Sequence, residues 1–77
     1  MNNDRRKKLD ALISQLERIH EEVESLRDEE QDSFDNMPES LQDSERGEKS
    51  QEAIDELDSA ASLVDEAREL LDSAKGN

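Results

Sequence analysis

The amino-acid sequence predicts an all-α protein: an antiparallel hairpin of two long helices joined by a short helical connector. Two long segments repeat apolar residues at alternating intervals of three and four, which is typical of amphipathic helices. The segment between them holds Pro38 and Phe34, the only proline and the only phenylalanine of the chain. With 30% hydrophobic and 43% charged residues, the 77-residue chain is too small and too polar for a large core. Residues 1–77 are therefore expected to form one domain.

Helix one is expected over about residues 4–32. Its apolar residues alternate at spacings of three and four, which places them along one stripe of an α-helix. Ile13 widens this stripe, and the next expected positions, Glu30 and Ser33, are polar. The residues of helix one predicted to lie in the core or in an oligomer contact are Leu9, Leu12, Leu16, Ile19, Val23 and Leu26.

Helix two is expected over about residues 45–75, with Ser44 as its N-cap. The alanines of its stripe leave room for a partner helix rich in Leu and Ile, so the two stripes are expected to face each other. Leu57, Val64 and Leu71 are predicted to lie in the core or in an oligomer contact. The full stripe is Ala53, Leu57, Ala60, Val64, Ala67, Leu71 and Ala74, widened by Ile54, Ala61 and Leu70.

The connector is expected over about residues 33–44. Phe34, Met37 and Leu41 are its apolar side chains. The sequence favours a role in covering the open end of the helix pair, and the alternative is an exposed recognition loop.

The charges are segregated along the chain. Residues 1–27 hold six basic and six acidic residues, so the last 50 residues carry the whole net charge of −13. Basic residues at a helix N-terminus oppose the helix dipole, so they need compensation. An antiparallel hairpin would supply it from carboxylates near the end of helix two and from the negative end of that helix's dipole. A patch for nucleic acid or lipid is the alternative, but it would lie beside a repelling surface. The basic residues are Arg5, Arg6, Lys7 and Lys8, and the carboxylates are Asp65, Glu66, Glu69 and Asp72.

A homodimer is also expected. Two helices bury only one stripe each, and no cysteine is present to crosslink them. The extra apolar positions broaden each stripe beyond what a two-helix contact needs. This width predicts that two hairpins pair into a four-helix bundle.

Little in the sequence predicts catalysis, so no enzyme activity, cofactor or metal is expected. His20 lies in HEEVE, which lacks the second histidine of the zinc-protease motif HExxH. The carboxylate pairs Glu21-x-x-Glu24 and Glu52-x-x-Asp55 could hold magnesium between helices, and they resemble the acidic motifs of the all-α nucleoside-triphosphate pyrophosphohydrolases. The chain lacks the further helices of that family and any base-stacking aromatic. A magnesium-dependent enzyme of this kind is therefore the least favoured of three hypotheses, after the inhibitor and the assembly protein described below.

An acidic row on helix two is the predicted partner-binding surface. Carboxylates on a rigid helix can imitate the phosphates of nucleic acid, because a basic groove responds first to negative charge density. Phe34 and Met37 are expected to add specificity. The alternatives are a merely solvated surface and a structural or assembly protein whose helical bundle is itself the function. The row comprises Asp55, Asp58, Asp65, Glu69 and Asp72.

The segment EEQDSFDNMPESLQDSERGEKSQEAIDELDSA, residues 29–60, resembles small acidic helical proteins encoded by phages and prophages. The resemblance implies a bacterial cytoplasm during infection. It also implies a gene class whose short acidic products often inhibit a host protein, including defence nucleases and nucleic-acid-binding enzymes. The sequence contains no signal peptide or membrane-spanning segment, so a cytoplasmic location is expected. The expected function is an inhibitor that binds a basic host protein, and neither nucleic acid nor membrane is an expected partner.

Overall fold

The computed structural model describes residues 1–77 and confirms an all-helical hairpin. Helix α1 runs over Asn3–Asp35, α2 over Glu39–Gln42 and α3 over Glu45–Lys75. The two long helices pack antiparallel, and the Cα atoms extend over 58 × 14 × 12 Å. The molecule is therefore a narrow rod that is one helix pair wide.

The helix ends follow local capping. Asn2 begins α1, and its side chain accepts a hydrogen bond of 2.8 Å from the backbone N–H of Arg5. Helix α1 ends at Asp35, three residues beyond the expected end at about residue 32, and Asn36 is its C-cap. The bounds of α3 agree with the prediction, and Ser44 takes the N-cap position. The Ser44 hydroxyl makes no capping hydrogen bond, however, because it donates to the carbonyl of Leu41.

One edge of the α1–α3 interface is marked by the buried hydroxyl of Ser50, which donates to Glu30 Oε1 at 2.7 Å. In an antiparallel pair, a step of seven residues along one helix is matched by a step of seven back along the other. This register continues through half-buried apolar pairs on the same edge. They are Val23 with Leu57, Leu16 with Val64 and Leu9 with Leu71.

The other edge is marked by Arg6, whose Nε donates to the carbonyl of Lys75 at 3.2 Å. Steps of seven from this contact pair four further residues of α1 with four residues of α3. Ile54, Ala61 and Gly47 on this edge are buried. The pairs are Ile13 with Arg68, His20 with Ala61, Arg27 with Ile54 and Phe34 with Gly47.

The core is rotated relative to the stripes that the sequence predicts. Ile13, Ile54 and Ala61 are the buried apolar residues, and Ile54 is only 2% exposed. Leu9, Leu16, Val23, Leu57, Val64 and Leu71 are half-buried at the interface, as expected. Leu12, Ile19 and Leu26, which were expected in the core or in an oligomer contact, are not buried within the hairpin: Leu12 is 46%, Ile19 44% and Leu26 56% exposed.

The physical reason is the phase of the apolar pattern. Three residues of an α-helix turn through about 300°, so Leu12 points about 60° away from Leu9. In α1 this rotation carries Leu12, Ile19 and Leu26 to the margin of the contact with α3, where about half of each side chain stays exposed. Their interface places are taken by Ile13, His20 and Arg27, four residues after each of the Leu9, Leu16 and Val23 positions.

The connector makes a tight corner. Gln42 Nε2 donates to the carbonyls of Phe34 and Met37 at 3.1 and 3.2 Å. Gly47 passes so close that an added Cβ would clash with the Gln42 carbonyl oxygen. Phe34 and Met37 are half-buried, and Leu41 is 39% exposed.

At the opposite end of the rod, the two chain termini meet. The amino group of Met1 donates to the carbonyl of Asn77 at 3.0 Å.

None of the helices combines the length and the apolar character that a membrane crossing needs.

Candidate interaction surfaces

The two long sides of the hairpin differ in chemistry. One side continues outward from the interface edge at Glu30 and Ser50, and it carries apolar side chains of both helices. We call it the apolar face. Its members are Leu12, Ile19 and Leu26 of α1, with Ala53, Ala60, Leu63, Ala67, Leu70 and Ala74 of α3.

The register explains why both helices contribute to this face. Leu12 lies about 60° beyond Leu9, and Ala74 lies about 60° beyond Leu71. Leu9 and Leu71 oppose each other on the edge that the Glu30–Ser50 hydrogen bond marks. Because the helices are antiparallel, Leu12 and Ala74 therefore lie on the same side of the rod. Large and small side chains face each other in the resulting rows, as in Ile19 beside Ala60.

The apolar face is exposed along much of the rod. Leu63 and Leu70, at the outer margin on α3, are each 65% exposed, and the three large side chains on α1 are all more than 40% exposed. The one surface depression, lined by Glu22, Ser25 and Leu26, lies at its margin on α1. Contiguous apolar surface of this kind is rare on monomeric proteins and marks interaction sites.

The opposite side continues from the edge at Arg6 and Lys75, and it is lined by ion pairs. We call it the ionic face. Lys75 Nζ lies 2.9 Å from Asp10 Oδ1, and Arg27 Nε lies 2.9 Å from Asp58 Oδ1, so both pairs connect the two long helices. The ionic face comprises Asp10, Glu17, Glu24, Asp58, Asp65 and Asp72, with His20, Arg27, Arg68 and Lys75.

Arg27 makes two contacts of different kinds. Its Nη1 donates to Asp28 Oδ1 at 3.0 Å. Its Nε is buried and close to Asp58, but the N–H is not directed at an acceptor, so the attraction to Asp58 is electrostatic. The hydrogen bond to Asp28 and the charge of Asp58 raise the pKa of Arg27 above its ordinary value.

The other two cations are held by similar groups. Arg68 Nε donates to Asp65 at 3.1 Å, and this bond, with the charges of Asp65, Glu69 and Glu17, raises the pKa of Arg68. The influence of Glu17 comes from α1, so Arg68 also faces the other helix. The hydrogen bond to Asp10 and the charge of that carboxylate raise the pKa of Lys75.

The predicted acidic row lies partly on the ionic face. Asp58, Asp65 and Asp72 each have a cation within 3.6 Å, and Glu69 lies 3.8 Å from Arg68. Asp55 has no cation but accepts a hydrogen bond of 3.3 Å from Gln51. Intramolecular partners therefore offset much of the charge of this row.

Of the two expected sources of compensation for the N-terminal basic cluster, the helix-two carboxylates form no ion pair with it. Arg5, Lys7 and Lys8 make no ion pair, and the contact of Arg6 is with a backbone carbonyl at the end of α3. That carbonyl belongs to the negative end of the α3 dipole, so it still compensates part of the positive charge.

The rod also has ends of opposite charge. The connector end, residues 28–52, holds ten acidic and two basic residues, a net charge of −8. The open end, residues 1–8 with 70–77, holds two acidic and five basic side chains, a net charge of +3. The connector brings the end of α1 and the start of α3, which hold these ten carboxylates, to the same end of the rod.

No group of three or more His, Cys, Asp or Glu side chains is placed to hold a metal ion. The pairs Glu21 with Glu24 and Glu52 with Asp55 are exposed, and Glu24 lies 2.8 Å from Nδ1 of His20.

No protein-family model matches the chain, and no curated protein or solved structure matches it significantly.

Sequence reasoning missed the ionic face. Its signal is a second heptad series that combines apolar and basic residues. It runs one residue after Leu12, Ile19 and Leu26 on α1, and one residue after the stripe alanines on α3. On α1 this series is Arg6, Ile13, His20 and Arg27, and on α3 it is Ile54, Ala61, Arg68 and Lys75.

Proposed function

We propose that this protein is a non-catalytic assembly module whose apolar face pairs with that of a second copy to form a four-helix bundle. The observation that carries the proposal is the exposure of Leu12, Ile19 and Leu26 on the same side as Leu63 and Leu70. Burial of these side chains is worth about 25 cal/mol per Å² of apolar surface.

The position of the apolar stripes supports a bundle. A helix in a four-helix bundle contacts two neighbours at about right angles, so its apolar stripe is centred between the two directions. In each long helix of the hairpin, half of the predicted stripe faces the other helix and half lies on the apolar face. Leu16 and Leu57 are examples of the first half, and Ile19 and Ala60 of the second.

The area available also supports dimerisation. Cα extents of 58 and 14 Å give the long side of the rod a footprint of about 800 Å², similar to the roughly 800 Å² per partner of a standard interface. The alanines in the middle of the face allow close approach of the second copy. Leu63 and Leu70 would cover the margins of the contact.

The proposal can be tested by comparing Ile19→Lys with Ala11→Lys in sedimentation experiments over a range of concentrations. Both positions are exposed in the hairpin, but Ala11 lies outside the apolar face. We expect the wild type and Ala11→Lys to form dimers and Ile19→Lys to remain monomeric and helical, because burying an unpaired charge is costly. A monomeric wild type, or a dimeric Ile19→Lys variant, would contradict the proposal.

A second candidate is an inhibitor that binds a basic surface of a host protein in the cytoplasm of a phage-infected bacterium. The net charge of −8 at the connector end supports this function. The ion-paired row that includes Asp58 and Asp65 is less suited to it, so the carboxylates of the connector end, with Phe34 and Met37, become the proposed contact.

Salt distinguishes the two functions. Like net charges repel in a dimer of chains that carry −13 each, so salt should strengthen self-association. Binding to a basic protein should instead weaken steeply with salt. Capture of a basic host protein from lysate at low salt, with release at high salt and loss of binding in Asp32→Lys/Asp35→Lys, would support the inhibitor. Asp55→Lys/Glu56→Lys is the control of equal charge outside the connector end.

A further inference from the structure

We infer that the two hairpins of the dimer lie with their connectors at opposite ends, related by a two-fold axis perpendicular to the helices. This inference rests on the proposed self-association and adds its orientation. It is carried by the charge separation along the rod together with the position of the apolar face.

The two possible bundles differ in which ends meet. With the two-fold axis parallel to the helices, both connector ends lie side by side, and two net charges of −8 repel each other at one end. With the axis perpendicular to the helices, each connector end lies beside an open end of net charge +3. Opposite charges then attract at both ends of the bundle.

The basic residues that the fold leaves unpaired have a place in the second arrangement. Antiparallel neighbours then require α1 to pack beside α1 of the second copy. Centring the stripes Leu9–Leu26 on each other brings Arg5 and Lys8 alongside the end of the second α1, where Asp28, Glu29 and Glu30 lie. The N-terminal cluster is therefore compensated between copies instead of within one hairpin.

The outer margin of α3 fits the same arrangement. The apolar stripe of α3 runs from Ala53 to Ala74, and its midpoint lies next to Leu63. A perpendicular two-fold axis through the middle of the face would bring Leu63 of one copy against Leu63 of the other. An exposed leucine at this position is then the centre of the α3–α3 contact.

Distances between spin labels test the orientation, because the chain has no cysteine and single-cysteine variants label at one site. Ser40 lies exposed at the connector tip, and Ser62 lies exposed near the middle of α3, outside the apolar face. With opposite connectors, labels on Ser40→Cys should lie about 55 Å apart, close to the rod length of 58 Å. Labels on Ser62→Cys should lie within about 30 Å in either bundle, given its width.

The outcomes separate this inference from the proposed function. A long distance at position 40 with a short one at position 62 supports opposite connectors. Short distances at both positions mean that the dimer forms with adjacent connectors, which overturns the orientation alone. No distance between copies at either position means that the chain is monomeric, which overturns the proposed dimer as well.

Discussion

Arg27 of α1 and Asp58 of α3 form a cross-helix pair in which Nε and Oδ1 are 2.9 Å apart but the N–H is not directed at an acceptor. Because this contact depends on charge, salt should weaken it. We predict that Asp58→Asn slightly lowers the melting temperature at low salt and has no effect near about 1 M salt, where the Debye length is about 3 Å. Melting followed by circular dichroism measures this. Asp55→Asn, which removes a carboxylate without a cation, is the control and should not lose stability at low salt.

Gly47 gives a prediction of unusual sign. An alanine in a helix interior is normally about 1 kcal/mol more favourable than glycine. At position 47 the added Cβ would clash with the Gln42 carbonyl, so the connector would have to shift. We predict that Gly47→Ala lowers the free energy of unfolding by about 1–3 kcal/mol, measured by urea denaturation. Gly76→Ala is the control, because its Cβ would meet no atom closer than 3.4 Å. Equal stability of the two variants would mean that the corner is looser than described.

The hydrogen bond between Ser50 and Glu30 predicts a difference between single and double substitutions. Ser50→Ala leaves the half-buried Glu30 carboxylate without its donor, which should cost about 1 kcal/mol. Glu30→Leu/Ser50→Ala replaces both polar partners by apolar ones and extends the hydrophobic contact by one layer. We therefore expect the double variant to be at least as stable as the wild type in urea. A double variant less stable than Ser50→Ala would contradict this register.

Lys75 predicts a stability change at alkaline pH. The hydrogen bond to Asp10 raises the pKa of Lys75 above its ordinary value of 10.5, so the folded state holds this proton more tightly than the unfolded state. The stabilisation is complete below pH 10.5 and is lost as the pH rises through the folded-state pKa. We expect Lys75→Met to be less stable than the wild type at neutral pH, with the difference shrinking above pH 10.5. Urea titrations across this range measure the difference. A constant difference would show that the charge of Lys75 is not the cause.

The periodicity of apolar residues was sufficient to predict the two long helices, their antiparallel order and the bounds of α3. It was sufficient because Leu and Ala recur at spacings of three and four over more than twenty residues, and only a helix aligns such residues. The start at Ser44 followed from ordinary N-cap chemistry, even though the hydroxyl bonds elsewhere.

The rotation of each helix could not be predicted in the same way. An apolar stripe shows which side of a helix avoids water, but not which part of that side meets the neighbouring helix. The interface includes Arg27 and Arg68, which a sequence pattern assigns to the surface. Their long aliphatic stems can pack along an apolar neighbour while the charged groups reach carboxylates at the edge. The ionic face depends on this property and on the register between helices.

The close contact at the corner and the charge difference between the two ends of the rod could also not be predicted from the sequence. Gly47 lies inside α3, where glycine normally weakens a helix, and its reason is the approach of Gln42 across the connector. The position of Phe34 opposite Gly47 follows from the same corner. The meeting of ten carboxylates at one end depends on where the chain reverses, which only the folded connector sets.

The contact of 3.0 Å between the Met1 amino group and the Asn77 carbonyl makes the backbone nearly a closed ring. A few added glycines would join the two ends, and a new break after Asp43 would then give a circularly permuted chain with both long helices intact. Closing so short a gap costs little entropy in the native state, while it restricts the unfolded chain. The cyclic protein should therefore melt at a higher temperature, and the permuted protein should show whether the corner at Gly47 must be covalently continuous.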